Sequence, residues 1–379
     1  MKKLLAVVLT VVLTAVSALA APLAVRADGA PATGAEAFVL YCVENQSIVL
    51  SKDENKRMRP ASTTKLMTTL LTLEEAAKND RVVTFTRDMI AEGSSMYLEV
   101  GEKVRLSDLA TGMMMCSGND AANAAATAIA GSTEKFSVYM NNRAKQLGME
   151  NTHFVTPSGL DDDDHYTTAY DLALLMQAGL RNEAFANLTY QKSASVRFAE
   201  PSDKTVTYNN HNRLLRLYND CIGGKTGYTT AAGRCLVSAA RRNGVTLICV
   251  TLNDKTDWDD HIALCDYGFE RLRGYHSADS EFCLTIPCVG GEQDTVAVIG
   301  EKDVTLVTEN SGADEIRRTV FLDAFVYAPV REGEALGRIE YTRGEKSLCS
   351  VALVAAEDVA EQRDGRNIFQ KIKEFFTYG

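Results

Sequence analysis

Ser62-Thr63-Thr64-Lys65 sets a hydroxyl and an amine three positions apart, which brings them to one face if the segment is helical. A hydroxyl beside a neutral amine is a nucleophile beside its base. Lysine is neutral near pH 7 only when desolvated and, preferably, close to a second cation that disfavours its charged form. Lys225, in Lys225-Thr226-Gly227, is the candidate for that cation. Between the two lies Ser117-Gly118-Asn119. Ser117 could relay a proton to a leaving amine, and the Asn119 amide could hold both Lys65 and a substrate carbonyl. Lys225, Thr226 and Gly227 suit a strand edge that pairs with an extended peptide, with the Lys and Thr side chains receiving a carboxylate and Gly227 allowing close approach. The backbone N–H groups of Ser62 and Tyr228 would then form an oxyanion hole, in which one donor is worth about 3 to 4 kcal/mol. Each motif alone is weak, since an isolated S-x-x-K is usually a solvated helix face; the three together are specific.

The elements that must position these groups can be read from periodicity. Ala37 to Val43 and Ser47 to Leu50 are apolar β-type runs around Glu44-Asn45-Gln46, a hairpin pattern. Pro60 opens a segment with Leu66, Met67, Leu70, Leu71 and Leu73 at helical spacing to about Asn79, so Ser62 belongs to the first turn of a helix. Leu106 to Ala130 reads as two helices broken at Ser117-Gly118-Asn119. Residues 222–229, 234–241 and 245–252 are short strands in an antiparallel meander, and Trp258, Ile262, Cys265, Phe269 and Leu272 mark an amphipathic helix covering it. Terminal strands enclosing a helical block indicate an α+β domain over about residues 34–275. Beyond Gly274, runs at 282–286, 295–299, 304–308, 319–327 and 350–354 indicate a small all-β domain over 276–360. The tail, 361–379, carries Ile368, Phe369, Ile372, Phe375 and Phe376 on one helical face, a pattern for contact with a membrane surface or for docking on the protein.

Lys2 and Lys3 followed by an apolar run from Leu4 to about Leu19 and by small residues read as a signal peptide, cleaved after Ala20 or Ala27. The protein is therefore expected to be exported to the cell envelope. Its formal charge is −10 over 379 residues, and removal of residues 1–27 with Lys2, Lys3 and Arg26 makes it more acidic. Nucleic acid is thereby disfavoured as a partner. The nine cysteines contain no C-x-x-C pair and no His at zinc spacing, so no metal or other cofactor is expected. Cys235, Cys249 and Cys265 fall in apolar periodic segments and read as buried thiols.

The three motifs, in this order, resemble those of the penicillin-recognising serine enzymes. Their separations, 55 residues from Ser62 to Ser117 and 108 from Ser117 to Lys225, are similar to those of the low-molecular-mass D-alanyl-D-alanine carboxypeptidases. So are Pro60-Ala61-Ser62-Thr63-Thr64-Lys65, Asn151-Thr152-His153-Phe154, Gly159-Leu160-Asp161, His165-Tyr166-Thr167-Thr168-Ala169 and Gly224-Lys225-Thr226-Gly227-Tyr228-Thr229. The resemblance covers about residues 34–275, and the trailing β domain is similar to the one appended in that family. It implies a penicillin-binding/β-lactamase-like fold, an antiparallel sheet with a helical cluster. It also implies acylation of Ser62 by a peptidoglycan pentapeptide ending in D-Ala-D-Ala, release of D-alanine and hydrolysis of the acyl-enzyme. A β-lactam would acylate the same serine and inhibit. Two departures stand out: the basic residue that contacts the substrate carboxylate in relatives is represented only by Lys255, and Pro157-Ser158-Gly159 replaces Pro-His-Gly.

Other features invite other readings. Asp161 to Asp164 with His165 could suggest a metal, but consecutive residues rarely converge on one ion and the alternating spacing of a calcium loop is missing. His211 has no nucleophile beside it in the sequence, and the Met113-Met114-Met115 run reads as helix core. A β-lactamase would need a deacylating group such as the Glu of an E-x-x-L-N loop, and no such string lies between Ser117 and Lys225. The remaining rivals are a D,D-endopeptidase acting on cross-links and a non-hydrolytic penicillin-sensing or wall-binding module.

Overall fold

A computed structural model of the 379-residue chain describes residues 29–310 and 316–362. The expected signal peptide and, apart from its first two residues, the amphipathic tail lie outside the described residues. The chain opens with the hairpin β1 (Ala37–Cys42) and β2 (Ser47–Lys52). A 3-10 turn, Ala61–Thr64, leads straight into α1 (Lys65–Lys78). After the small hairpin β3 (Val82–Thr84) and β4 (Lys103–Arg105) come α2 (Leu106–Met115), α3 (Asn119–Ala130), α4 (Thr133–Gln146), α5 (Ala169–Arg181) and α6 (Glu183–Tyr190). A second small hairpin, β5 (Ser193–Arg197) and β6 (Thr205–Asn209), and the single turn α7 (Leu214–Leu217) precede the meander. Its strands are β7 (Cys221–Thr229), β8 (Gly233–Arg242) and β9 (Val245–Leu252), and α8 (Asp257–Arg271) follows.

The meander and the N-terminal hairpin join in one five-stranded antiparallel sheet, ordered β2-β1-β9-β8-β7. Side chains alternate across it. Phe38, Leu40, Cys42, Leu247 and Cys249 pack on Leu264, Cys265 and Phe269 of α8. Val39, Tyr41, Val237, Ile248 and Val250 face the helical cluster, whose core includes Leu66, Met113, Ala122, Phe136 and Leu172. With both faces covered, all eight residues of β9 are buried, which is why Val245 to Leu252 reads as an almost continuous apolar run. Cys235, Cys249 and Cys265 are free and buried, as their surroundings in the sequence suggested.

Farther along, β10 (Leu272–Ser277), β11 (Cys283–Val289), β12 (Thr295–Gly300), β13 (Val304–Glu309), β14 (Ile316–Leu322), β15 (Val326–Tyr327), β16 (Ala335–Arg343) and β17 (Lys346–Ala355) build the all-β unit. Six of them form a sheet ordered β14-β16-β17-β12-β11-β15 around Val296, Val298, Ile339, Tyr341, Val351 and Leu353. Strand β10 pairs with β13 from Leu272↔Glu309 to Ser277↔Val304, so the expected division at 275/276 falls inside a strand. The expected run 319–327 is two strands on opposite edges of the sheet, β14 beside β16 and β15 beside β11. The sequence reading did not find β16, because a bulge between Ala335 and Gly337 shifts its alternation.

Candidate active site

The nucleophile turn is set by backbone strain and by close approach. Ala61 has φ of 48° and Ser117 φ of 60°, left-handed values that cost a non-glycine residue energy and that cluster where surrounding structure holds a functional conformation. Strand β7 runs so near this turn that a methyl group at Gly227 would stand 3.0 Å from the Pro60 carbonyl oxygen and 3.1 Å from the Ser62 nitrogen. A side chain there would force the turn to give by a few tenths of an ångström, so glycine gives the strand edge and the nucleophile their closest approach. On the other side, Gly159 (φ 82°) lies so close that a methyl group would reach 1.9 Å from the Ala61 carbonyl oxygen.

Within this frame the predicted groups converge. Lys65 Nζ lies 3.0 Å from Ser62 Oγ, 2.6 Å from Asn119 Oδ1 and 2.7 Å from the Ser158 carbonyl oxygen. Lys225 Nζ donates to Ser117 Oγ at 3.0 Å and to the Thr226 carbonyl at 2.9 Å. Lys65 is 0 % exposed and Lys225 1 % exposed, and among the described residues no carboxylate pairs with either. Burial, reinforced by the charge of Lys225, holds the Lys65 amine well below the usual lysine range. Burial brings Lys225 down to about 7. Of the two causes expected for a neutral Lys65, desolvation is the larger and the neighbouring cation the second.

A neutral Lys65 has two N–H donors and one lone pair. Asn119 Oδ1 and the Ser158 carbonyl are acceptors and occupy the donors, so the lone pair is left for the Ser62 hydroxyl proton, the arrangement of a general base. The Asn119 Nδ2 donates to the Glu92 carbonyl at 2.6 Å, which leaves one amide hydrogen for a substrate carbonyl. Ser117 faces the same cleft, of about 300 Å³, as do Thr226, Gly227 and Tyr228. A larger groove of about 750 Å³, lined by Ser47, Tyr267, Thr308 and Lys346 among others, has no nucleophile beside a base.

The family description D-alanyl-D-alanine carboxypeptidase matches residues 24–256. The chain belongs to the D-alanyl-D-alanine carboxypeptidase family. The C-terminal domain of penicillin-binding protein 5 matches residues 273–361. Among relatives, the D-alanyl-D-alanine carboxypeptidase DacC of Escherichia coli is 30% identical over 355 residues, covering 88% of this chain and 86% of its own. DacF of Bacillus subtilis is 29% identical over 335 residues, 86% of each chain. A crystal structure of penicillin-binding protein 5 from Haemophilus influenzae superposes with a TM-score of 0.67 at 26% identity, covering 87% of this chain and 99% of that one. As a member of this carboxypeptidase family the protein has the expected α+β fold, followed by the all-β domain.

Sequence reasoning missed three groups in the family's cleft. Lys255 is exposed in the turn after β9; the cation on the cleft wall is Arg234, on β8 opposite Tyr228. Its guanidinium is held by Asp257 through Nη2 at 2.6 Å and Nε at 3.1 Å, and lies 5.7 Å from the Trp258 ring. The signal was present, since Arg234 directly follows the turn that ends β7, but strand partners cannot be read without register. The second is Ser158, at the position of the departure from Pro-His-Gly, which serves through its backbone carbonyl. The third is His211, which lines the cleft with its basicity lowered by burial and then by Lys225. The acidic run Asp161 to Asp164 is exposed, with Asp161 accepting from Thr229 at 2.9 Å and Asp163 paired with Arg59 at 2.7 Å.

Proposed function

We propose that this enzyme removes the terminal D-alanine from peptidoglycan stem peptides through an acyl-enzyme on Ser62. The observation that carries the reading is the buried Lys65 amine, 3.0 Å from Ser62 Oγ with both of its neutral-state donors occupied. The stem peptide lies extended along β7, and its terminal carboxylate meets Lys225, Thr226 and the half-exposed Arg234. Ser62 Oγ attacks the carbonyl of the penultimate D-alanine as Lys65 takes its proton, and the oxyanion sits between the N–H groups of Ser62 and Tyr228. Collapse expels D-alanine, whose amine takes its proton from Ser117, resupplied by Lys225. Water then releases the shortened peptide. A β-lactam enters by the same route and remains on Ser62. Asn119 positions Lys65 and the substrate backbone.

The enzyme acts in the cell envelope after export, and residues 361–379 provide contact with a membrane surface. Among the described residues no helix is long and apolar enough to cross a membrane. The acidic net charge supports a partner other than nucleic acid. The test is release of D-alanine from a pentapeptide ending in D-Ala-D-Ala by the parent and by Ser62→Ala. Release by the parent alone is expected. No release by the parent would favour a penicillin-sensing or wall-binding module, and faster cutting of cross-linked dimers would favour the endopeptidase.

A further inference from the structure

Behind the cleft, His165 makes a set of contacts that the acyl-transfer chemistry does not use. It is 2% exposed and sits at the end of the acidic run, packed edge-on against Phe154 at a ring separation of 5.7 Å. Its Nδ1 lies 3.2 Å from the backbone nitrogens of both Val155 and Thr156, so Nδ1 must accept and cannot carry a proton. The hydrogen is therefore on Nε2, which donates to Thr64 Oγ1 at 2.9 Å. Thr64 precedes Lys65 on the nucleophile turn. Thr156 in turn accepts from the Gly159 nitrogen at 3.1 Å and donates to the Leu160 carbonyl at 3.2 Å. The loop so fixed contains the Ser158 carbonyl that occupies one donor of Lys65.

We infer that His165 is a positioning residue, locked as the neutral Nε2–H tautomer, which ties the nucleophile turn to the loop 155–160 and so keeps the Ser158 carbonyl on Lys65. The inference deepens the reading of Ser62 and Lys65 as nucleophile and base and rests on it. Without a fixed Ser158 carbonyl, a Lys65 N–H is free to turn toward Ser62, and the lone pair loses its aim. A loosened loop also admits water to Lys65, and because burial is the larger cause of its lowered basicity, the amine would then regain a proton more readily. Burial likewise takes the imidazole down to about 4, with Asp162 opposing and His153 adding to the shift, so the tautomer persists through neutral pH. Two backbone N–H groups in a buried loop need an acceptor, and His165 supplies it.

The test follows acylation of the full chain by benzylpenicillin, by intact mass between pH 5 and 10, with melting temperature measured for each variant. For His165→Phe the expected result is an acylation rate constant lowered about ten-fold or more, an unchanged first-step binding constant, and an acid limb moved to higher pH. His165→Asn, which restores an acceptor, should recover most of the rate. Thr64→Val removes only the Nε2 partner and should move the limb in the same direction by less, and it carries the test should His165→Phe not fold. A parent with a normal Ser62 adduct but variants with the parent's rate and pH profile would overturn this inference alone. A parent with no Ser62 adduct would overturn the active-site reading and this inference with it. Nitrogen-15 spectra of the parent should show His165 as neutral Nε2–H from pH 5 to 9, and an Nδ1–H signal would also overturn it.

Discussion

The cleft and the C-terminal β domain both bury charge, and they do so in opposite ways. In the β domain, Asp279 is buried beside Arg318 at 3.0 Å, and it accepts from Tyr341 Oη at 2.5 Å and from Ser277 Oγ at 2.8 Å. Its charge is matched by a counter-ion and its lone pairs are filled, so the group serves shape. Lys65 and Lys225 are buried among neutral acceptors. At Lys65 desolvation outweighs the opposing charge of Asp120 and holds the amine well below the usual lysine range, and at Lys225 it brings the amine down to about 7. The lesson is that a buried charge with its counter-ion is architecture, whereas a buried amine with only neutral acceptors is a base in waiting.

The contrast is broken most directly by removing each group. Lys65→Met should slow acylation by about 10²- to 10⁴-fold in a protein that still folds, the apolar chain filling the space while Asn119 Oδ1 and the Ser158 carbonyl lose a donor, at about 1 to 3 kcal/mol. Penicillin adduct formation and thermal melts check both halves. Asp279→Ala should do the reverse, destabilising by about 3 to 5 kcal/mol as Arg318 loses its buried partner, with acylation changed less than about two-fold. Denaturant melts followed by the acylation assay would show it. If Lys65→Met kept the parent's acylation rate, or Asp279→Ala abolished acylation, the division between chemistry and architecture would be wrong.

Finer tests sharpen it. Gly227→Ala presses a methyl against Pro60 and Ser62, and overpacking of this kind costs about 1 to 3 kcal/mol. It should appear as slower acylation together with a lowered melting temperature. Lys225 is held to about 7, below its usual range, so it is a cation below that pH and loses charge as pH rises through it. KM for the D-Ala-D-Ala peptide should accordingly rise above about pH 7, measured as initial rates of D-alanine release. The smallest effect concerns acid. His261 is buried between Ser238 Oγ at 2.7 Å and Thr251 Oγ1 at 3.1 Å, with its basicity lowered to about 3 by burial, and His165 is at about 4. Both are depressed, so the unfolded chain takes up protons first as pH falls below about 6.5, and stability is lost from there toward pH 3 to 4. Hydrogen exchange at pH 5 should loosen β8, β9 and α8 before β12 and β17.

Much of this was legible in the chain itself. The hairpin, the break at Ser117, the meander and the covering helix follow from periodicity, and Ser62, Lys65, Ser117, Asn119 and Lys225 stand out because their residue types at those spacings suit one reaction. Arg234 did not stand out, since what makes it a cleft residue is its pairing opposite Tyr228. Ser158 did not because a backbone carbonyl leaves no mark on residue type. The β domain was read less well: β16 is interrupted by a bulge, and β14 and β15 are neighbours in sequence but opposite edges in space.

Residue types and spacing thus determined which atoms are available for acyl transfer and which local elements carry them. The tertiary structure alone decided the lowered basicity of the two lysines, because desolvation depends on everything packed around an amine. It also decided which carbonyl, imidazole and guanidinium complete the cleft, since these arrive from segments far apart in the chain. Local pattern reports what a segment can do, while pKa and alignment are properties of the surroundings.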